Sequence, residues 1–475
     1  MSEHRTARAF ASWLEEWTRN ALGRPMAPGE TFGRAGLTPD GALRLCADIE
    51  RELGPPVDPE DLWTYPTVPE LADQLARVCG PGPGGPPRPV FVFPGHGAQH
   101  PGMTRALYRT SPAYRAHLDE AAAALLRHTG MPVDELIEGG ERWRNHPAYA
   151  LPALFACEYS LARTLEEAGV LPVAVLGHGV GEFAAAAVAE AVPLADAARL
   201  VALYAAYLRG LAATGGMTTA HAGAAVVAEL VADEPTVEVS EVNSGRSTVL
   251  AGSLAGLDRV ERKLRSAGIG HGRLAAPYPF HSSMIKPILG TFEPAARRTA
   301  GGAARLPYYS SLRGQLTTEP LYAPYWAEHI TSPVRFAEAA LQLLGHQVPT
   351  HLVEVGPCEL VTPWLVELAD GEGPGCIAPC RGPATTAGAL AYAVAGLLPQ
   401  DAGGVSGASG DPAALLGDAE GVDEVAGVDL GDDRREVVAD GAGGEVEGAR
   451  DLGGGGAPGG VAQDLQFPGG ERALR

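Results

Sequence analysis

The sequence predicts an α/β protein preceded by a small helical bundle. Three observations lead to this fold class: helical spacing of apolar residues within 1–80, a glycine- and proline-rich segment at 81–89, and alternation of helical patterns with short apolar runs over 90–399. Such alternation is typical of layered architectures in which helices cover a sheet of buried strands. The segment at 81–89 predicts a semi-rigid linker between two folding units.

The helical bundle is predicted from three amphipathic stretches. Their apolar stripes lie within residues 10–22, 41–53 and 69–78. Each stripe repeats at the spacing of one face of an α-helix, so each stretch would bury one face against the other two.

The larger domain begins with a predicted buried strand at residues 90–93. A second apolar run, 173–176, leads into Gly-His-Gly-Val-Gly and an alanine-rich helical stretch at 183–190. This pattern is typical of a nucleophile elbow, a tight strand-to-helix turn that presents its central side chain to a substrate. The central residue is Gly179, so the sequence predicts a turn with positive φ but no nucleophile.

Two further segments differ from this pattern. Residues 217–279 predict a smaller unit with strands at 223–227 and 237–242 and a helix at 257–267. Residues 400–475 are rich in Gly, Ala, Asp and Glu and predict disorder, because they offer too little apolar surface to bury. A GC-rich gene read out of frame gives the same composition, so a frameshifted terminus is an alternative to a genuine acidic tail.

Composition excludes several classes of function. The net charge of −21 argues against nucleic acid as a partner. The N-terminus lacks a basic region followed by an apolar run, and no stretch has the length of a membrane span, so we expect a cytoplasmic protein without a membrane partner. The six cysteines are scattered, with Cys376 and Cys380 closest, which favours free thiols over disulfides and predicts no metal site.

Five short motifs occur in order along the larger domain. They are Phe-Pro-Gly-His-Gly-Ala-Gln at 93–99, Gly-His-Gly-Val-Gly at 177–181, Pro-Phe-His-Ser at 279–282, Tyr-Trp-Ala-Glu-His at 325–329 and Glu-Val-Gly-Pro at 354–357. Together they resemble the acyltransferase domains of modular polyketide synthases and the malonyl-CoA:carrier-protein transacylases. The resemblance implies an α/β-hydrolase-like large subdomain with an inserted ferredoxin-like small subdomain at about 217–279.

The helical bundle resembles an acyl carrier protein through Phe-Gly-Arg-Ala-Gly-Leu at 32–37 and Tyr-Pro-Thr at 65–67. That family carries phosphopantetheine on the serine of an Asp-Ser pair, and here Thr38-Pro39 replaces the pair. No serine occurs between Ser12 and Ser111. The resemblance therefore implies a vacated phosphopantetheine site at Pro39 and no covalently bound cofactor. An unrelated three-helix domain is the alternative, because short helical patterns are weakly diagnostic.

The resemblance also assigns catalytic roles. In the family a serine takes an acyl group from coenzyme A and passes it to a carrier thiol, with a histidine as general base. Carried over, His281 is the base and Gly179 the vacated nucleophile position. The backbone N–H groups of His96 and Val180 form the oxyanion hole, and the His329 carbonyl orients the base. Ordinary turn or core histidines are the alternative for His96, His178 and His329, and for His178 this is the preferred interpretation.

Substrate recognition departs from the family as well. Extender-unit transferases carry an arginine 25 residues after the serine, and this position is Tyr204 here. Its replacement removes a bidentate carboxylate clamp and suggests a monocarboxylic acyl group. The resemblance adds Gln99, Tyr278 and Phe280 to the expected substrate-binding residues. Acyl-CoA is the candidate substrate, and acyl carrier protein or polyketide synthase components are the candidate partners.

The leading interpretation is a degenerate acyltransferase-family protein of polyketide-type biosynthesis that acts by binding synthase components. The alternative is an enzyme that transfers an acyl group from acyl-CoA to a carrier protein, or hydrolyses a thioester, by direct attack with His281 as base. In that case no covalent intermediate would form. An acyltransferase role inherited unchanged from the family is a third interpretation.

Overall fold

A computed structural model describes residues 7–27, 29–53, 57, 59, 61–79, 87–138, 146–211, 215–275, 278–369 and 373–397. The predicted disordered tail at 400–475 lies outside the described residues, as does most of the predicted linker at 81–89. Among the helices of this described part, none is long and apolar enough to cross a membrane.

The N-terminal domain is a bundle of helices around one apolar core. The helices are α1 (Ala7–Leu22), α2 (Phe32–Ala35), α3 (Pro39–Leu53), α4 (Asp61–Thr64) and α5 (Val68–Cys79). The longest three coincide with the predicted amphipathic stretches. Phe10, Leu14, Ile49 and Leu71 are each at most 1% exposed in the shared core. Pro39 is the first residue of α3, where its missing N–H leaves no helical hydrogen bond unmade.

The larger domain is built on two sheets. Its strands are β1 (Pro89–Phe93), β2 (Ala174–Gly177), β3 (Gly215–Ala220), β4 (Val237–Ser244), β5 (Ser247–Ser253), β6 (His271–Arg273), β7 (Tyr308–Ser310), β8 (Gln315–Thr317), β9 (His351–Glu354) and β10 (Gly375–Ile377). Its helices are α6 (Arg105–Thr110), α7 (Pro112–Thr129), α8 (Val133–Glu138), α9 (Pro147–Glu167), α10 (Gly181–Val188), α11 (Leu194–Arg209), α12 (Ala224–Val231), α13 (Leu254–Ser266), α14 (Leu289–Ala296), α15 (Ala323–His329), α16 (Phe336–Gln347), α17 (Thr362–Leu368) and α18 (Ala387–Val394). Short 3₁₀ helices lie at Ser283–Ile288 and Ala395–Leu397.

The large sheet has the strand order β10-β9-β1-β2-β7-β8. Its strands pair in parallel except for β8, which runs antiparallel to β7. Every residue of β1 and β2 is buried, as the continuous apolar runs predicted, because helices cover both faces of the sheet. The carboxyl ends of β1 and β2 lie side by side, with Phe93 paired to Gly177.

The small sheet is antiparallel, in the order β4-β5-β3-β6, with α12 following β3 and α13 following β5. The predicted strand at 223–227 is wrong, because these residues lie at the start of α12. Val227 and Val231 are buried four residues apart, which is the spacing of one helix face. The strand of this region lies earlier, at β3.

The small sheet contacts the segment that leads into α16. The N–H of Val242 donates to the carbonyl of Val334 over 2.8 Å, and the N–H of Val334 donates to the carbonyl of Ser240 over 2.8 Å. These two bonds hold β4 beside the start of α16. They bring side chains of β4 to the rim of the elbow, although more than 50 residues separate the two segments in sequence.

Candidate active site

The turn between β2 and α10 has the geometry predicted for a nucleophile elbow. Gly179 lies at its centre with a φ of +52°. A Cβ on Gly177 would approach Glu182 Cα to 2.4 Å, and one on Gly181 would approach Pro94 O to 2.3 Å. A Cβ on Gly179 would meet nothing closer than His281 Nε2, at 3.3 Å. Two glycines of the turn are therefore required by close packing, whereas Gly179 has room for a side chain.

His281 faces this open position. Its side chain is buried, and its Nδ1 donates to the carbonyl of His329 over 3.1 Å. The tautomer fixed by that bond leaves a lone pair on Nε2, the atom nearest to residue 179. Burial, together with the nearby His329 and His178 rings, lowers the pKa of His281 to about 3, so its ring is neutral at physiological pH.

His329 connects the two sides of the site. While its carbonyl accepts from His281, its Nε2 donates to the carbonyl of Gly179 over 3.0 Å. The ring packs edge-on against Phe183 and Trp326, at centroid separations of 5.3 and 5.6 Å. Burial lowers the pKa of His329 as well. His329 is thus hydrogen-bonded both to the elbow, at Gly179, and to His281.

A buried carboxylate, that of Glu182, lies directly after the elbow. Glu182 is fully buried in the first turn of α10, where the helix dipole favours a negative charge. It accepts hydrogen bonds from Tyr308 Oη at 2.9 Å, Ser311 Oγ at 2.6 Å, the Leu312 N–H at 3.0 Å and Tyr325 Oη. These donors compensate the desolvation of the carboxylate, and no lysine or arginine among the described residues forms a salt bridge with it.

Of the predicted oxyanion donors, Val180 lies within the elbow and His96 lies in the loop that follows β1. Among the described residues, the N–H groups of His96 and Val180 have no hydrogen-bond acceptor in the protein. The His96 ring accepts from Gln99 Nε2 over 3.2 Å, since Gln99 Oε1 is occupied by the N–H of Gly97 at 2.7 Å. Burial lowers the pKa of His96 to about 4, so this ring is also neutral.

A cavity of about 420 Å³ opens above the elbow. Seven of the residues predicted from the sequence line it: His96, Gln99, Gly179, Val180, Tyr204, Phe280 and His281. Tyr278 and His329 do not line the cavity; Tyr278 packs behind Phe280, with ring centroids 6.1 Å apart. Pro39 lies on the N-terminal domain and is not part of this site.

Tyr204, at the position where the resemblance leads us to expect an arginine, lies on the cavity lining. Its side chain is 3% exposed, and no group of the described residues binds its buried hydroxyl. Burial raises the pKa of this hydroxyl, so it stays protonated and neutral. Arg209, five residues later, is exposed and does not line the cavity. The cavity therefore lacks the cationic side chain that this position would supply.

Thirteen of the twenty described lining residues were not predicted from the sequence. Three of them are Glu241 and Asn243 on β4 and Trp364 on α17. No local motif marks these three positions, because they reach the site only when both sheets and α17 pack together. His178, from the elbow motif, contacts them, with Nε2 at 2.8 Å from Asn243 Oδ1 and its ring centroid 5.4 Å from that of Trp364.

The structure presents no metal centre among the residues that it describes. No group of three or more His, Cys, Asp or Glu side chains there is arranged to hold a metal ion. Cys157, Cys358 and Cys380 are present as thiols. Burial raises the pKa of Cys358 to about 12, which makes this thiol a poor nucleophile at neutral pH.

Two family models match the chain. The acyl transferase domain model matches residues 90–405, and the phosphopantetheine attachment site model matches residues 4–75. The phenolphthiocerol synthesis polyketide synthase type I Pks15/1 of Mycobacterium marinum is 35% identical over 272 residues, which are 56% of this chain and 13% of that protein. The chain thus spans only a small part of this relative.

Two similar solved structures are acyltransferases of polyketide synthases. The acyltransferase domain from the second module of the salinomycin polyketide synthase is 33% identical, with a TM-score of 0.63 over 67% of this chain and 74% of that one. A loading acyltransferase from the avermectin modular polyketide synthase is 31% identical, with a TM-score of 0.60 over 65% of this chain and 99% of that one.

Proposed function

The chain belongs to the acyl transferase domain family, and from this premise we propose that it is a degenerate member that binds acyl thioesters and polyketide synthase components without forming an acyl-enzyme. Its N-terminal residues match a carrier-type domain. A cytoplasmic location, where thiols stay reduced, is part of this proposal.

The observation that carries the proposal is the lack of a side chain at the centre of the elbow. Gly179 occupies the elbow, and no serine or cysteine is among the described residues that line the cavity. The two serines after His281 are engaged elsewhere: Ser282 Oγ donates to the carbonyl of Pro279 over 2.6 Å, and Ser283 Oγ donates to Glu238. Neither hydroxyl is available to replace the missing one.

The electrostatics of His281 also favour binding over catalysis. A general base works best when its pKa lies near the operating pH. Lowering the pKa of His281 from 6.5 to about 3 makes its protonation about 5 kcal/mol less favourable than in water. Proton removal from a thiol or a water by this ring would carry that cost.

A second candidate function is favoured by the space at residue 179. The lone pair of His281 Nε2 faces a position where an added Cβ would lie 3.3 Å away. A carrier thiol or a water at this position could attack a bound thioester directly, with the N–H groups of His96 and Val180 stabilising the oxyanion. The neutral Tyr204 supports a monocarboxylic acyl-CoA as substrate for such transfer or hydrolysis.

For the N-terminal domain we propose a carrier-like unit without the prosthetic group. Pro39 has no hydroxyl, and the neighbouring Thr38 Oγ1 accepts from the N–H of Gly41 over 3.2 Å as a helix cap. Incubation with coenzyme A and a phosphopantetheinyl transferase should therefore leave the mass of the protein unchanged. A gain of one phosphopantetheine would contradict this part of the proposal.

The two-subdomain description inferred from the resemblance also belongs to the proposal. It is supported by the β-α-β-β-α-β connectivity of the small sheet, which is that of ferredoxin-like units, and by the strand–elbow–helix of the large one.

Intact-protein mass spectrometry tests the main proposal. Wild type and Gly179→Ser are each incubated with a panel of acyl-CoAs and acyl carrier proteins. We expect no adduct and no transfer by wild type, and one acyl group on Gly179→Ser. Gly179→Ala is the matched control, since it adds the same Cβ without a hydroxyl. Acylation of carrier by wild type without an adduct, abolished by His281→Ala, would instead establish the direct route.

A further inference from the structure

One wall of the cavity carries a carboxylate without a cationic partner. Glu241 lines the cavity, and its side chain is 15% exposed. Among the described residues, the nearest group that could carry a positive charge is the His178 ring, with Nε2 3.7 Å from Glu241 Oε2. An anion so withdrawn from water is costly unless an opposite charge or hydrogen bonds compensate it.

The hydrogen bonds around His178 connect its ring to Asn243, and not directly to Glu241. Asn243 Nδ2 donates to Glu241 Oε2 over 3.1 Å, so Asn243 Oδ1 is the atom that faces His178. This oxygen accepts from the Nε2–H of His178 over 2.8 Å. The Nδ1 of the same ring is buried, and no group of the described residues binds it.

The remaining described lining supplies no lysine or arginine. The rings of His96 and His281 are neutral, because burial lowers their pKa values to about 4 and about 3. A third lining histidine, His100, has its ring nitrogens 3.4 Å from the carbonyl oxygen of Pro101 and 3.2 Å from that of Pro357. No lysine or arginine of the described residues therefore pairs with Glu241. A dicarboxylic acyl group would bring a like charge to this wall, whereas a cationic group would bring the missing counter-charge.

Two other groups of the cavity lining, an indole ring and a tyrosine hydroxyl, also have the chemistry to contact a cation. Trp364 lines the cavity, and its ring lies beside His178, with 5.4 Å between centroids. The face of an indole ring attracts ammonium groups. The buried hydroxyl oxygen of Tyr204 is an unused acceptor on the cavity lining. The cavity thus combines a carboxylate, an aromatic ring and a neutral acceptor.

We propose that the cavity takes an acyl group that bears a primary amine, with the ammonium bound by Glu241 and packed against Trp364. This inference rests on the proposed function, because it names the substrate class of the same acyl-thioester site. It requires no nucleophile at residue 179, since it concerns binding alone.

Calorimetry with three stable pantetheine analogues tests it, each with an amide in place of the thioester. The acyl groups are β-alanyl, butyryl and malonyl; the first two have the same shape and differ in an ammonium against a methyl group. We expect wild-type full-length protein to bind the β-alanyl analogue at least tenfold more tightly than the butyryl one, and the malonyl one most weakly. Glu241→Gln should remove the β-alanyl preference. Glu229→Gln, which neutralises an exposed carboxylate on α12 outside the cavity, should leave it intact.

The outcomes separate the inference from the function on which it rests. Butyryl binding as tight as β-alanyl binding overturns the amine proposal but leaves an acyl-binding site in place. Tightest binding of the malonyl analogue also overturns it. Binding of none of the three overturns the proposed function and the inference with it. The wild-type comparison decides between these results even where Glu241→Gln does not fold.

Discussion

Burial of the His281 ring should make the protein sensitive to mild acid. The ring is enclosed next to the elbow, and its pKa in the folded protein is lowered to about 3 from 6.5. Below pH 6.5 the unfolded chain therefore binds a proton that the folded chain excludes. The stability contributed by the neutral ring is present above pH 6.5 and is lost progressively as the pH falls towards 3.

The size of this loss follows from the two pKa values. Each pH unit between them costs about 1.4 kcal/mol, so lowering the pH from 8 to 5 should remove about 2 kcal/mol through His281 alone. Since native domains are stable by only about 5–15 kcal/mol, a loss of this size is measurable.

The perturbation that isolates this effect is His281→Asn. Asparagine tolerates the left-handed backbone of this position, where φ is +54°, and its amide can donate to the carbonyl of His329. It cannot titrate. The other histidines are present in both proteins, so the comparison isolates the titration of His281 together with its coupling to the His329 and His178 rings.

Urea unfolding of both proteins at pH 8, 7, 6 and 5 measures the difference. Wild type should lose about 2 kcal/mol more than His281→Asn between pH 8 and 5. Parallel pH profiles would refute the reasoning, because they would mean that the ring takes up its proton as readily in the folded protein as in the unfolded chain.

Three further predictions concern the turn, its support and the domain surface. Gly179→Ala should lower the free energy of unfolding by about 1–2 kcal/mol through its left-handed φ, whereas Gly181→Ala should prevent folding, since its Cβ would meet Pro94 O at 2.3 Å; equal melting temperatures would contradict the distinct roles of the two glycines. Glu182→Gln should lower the free energy of unfolding by about 2–3 kcal/mol. The NH₂ group of glutamine would face at least one buried donor that now binds the carboxylate, and that donor would lose its acceptor. An unchanged urea midpoint would contradict this, because it would mean that the hydrogen bonds rearrange without cost. Arg381→Ala should change stability by less than about 1 kcal/mol in thermal melts, because its 3.1 Å ion pair with Asp61 is partly exposed; a larger loss would assign the pair a structural role between the two domains.

The elbow and His281 could be predicted from the sequence because each depends on a short motif. Gly-His-Gly-Val-Gly fixes a turn through local steric needs, and the structure has the predicted positive φ at Gly179. Glu241 and Trp364 could not be predicted, since their place in the cavity depends on long-range packing of β4 and α17.

The wrong strand at 223–227 has a different cause. A short run of alanine and valine fits a buried strand and a helix equally well, and the buried face of α12 at Val227 and Val231 emerges only over a longer window. At His329 the structure adds a role that the resemblance did not imply. The resemblance implied a role for its carbonyl, but its ring also binds the elbow by donating to Gly179 O.

The steric freedom of Gly179 has an evolutionary consequence. Its two neighbouring glycines cannot accept a Cβ, whereas residue 179 can, with His281 Nε2 at 3.3 Å as the nearest atom. A glycine codon GGT or GGC becomes the serine codon AGT or AGC by a single base change. Where such a codon encodes residue 179, a hydroxyl could return to the centre of the turn in one mutational step. The packing that requires glycine on either side would keep the scaffold ready for that step.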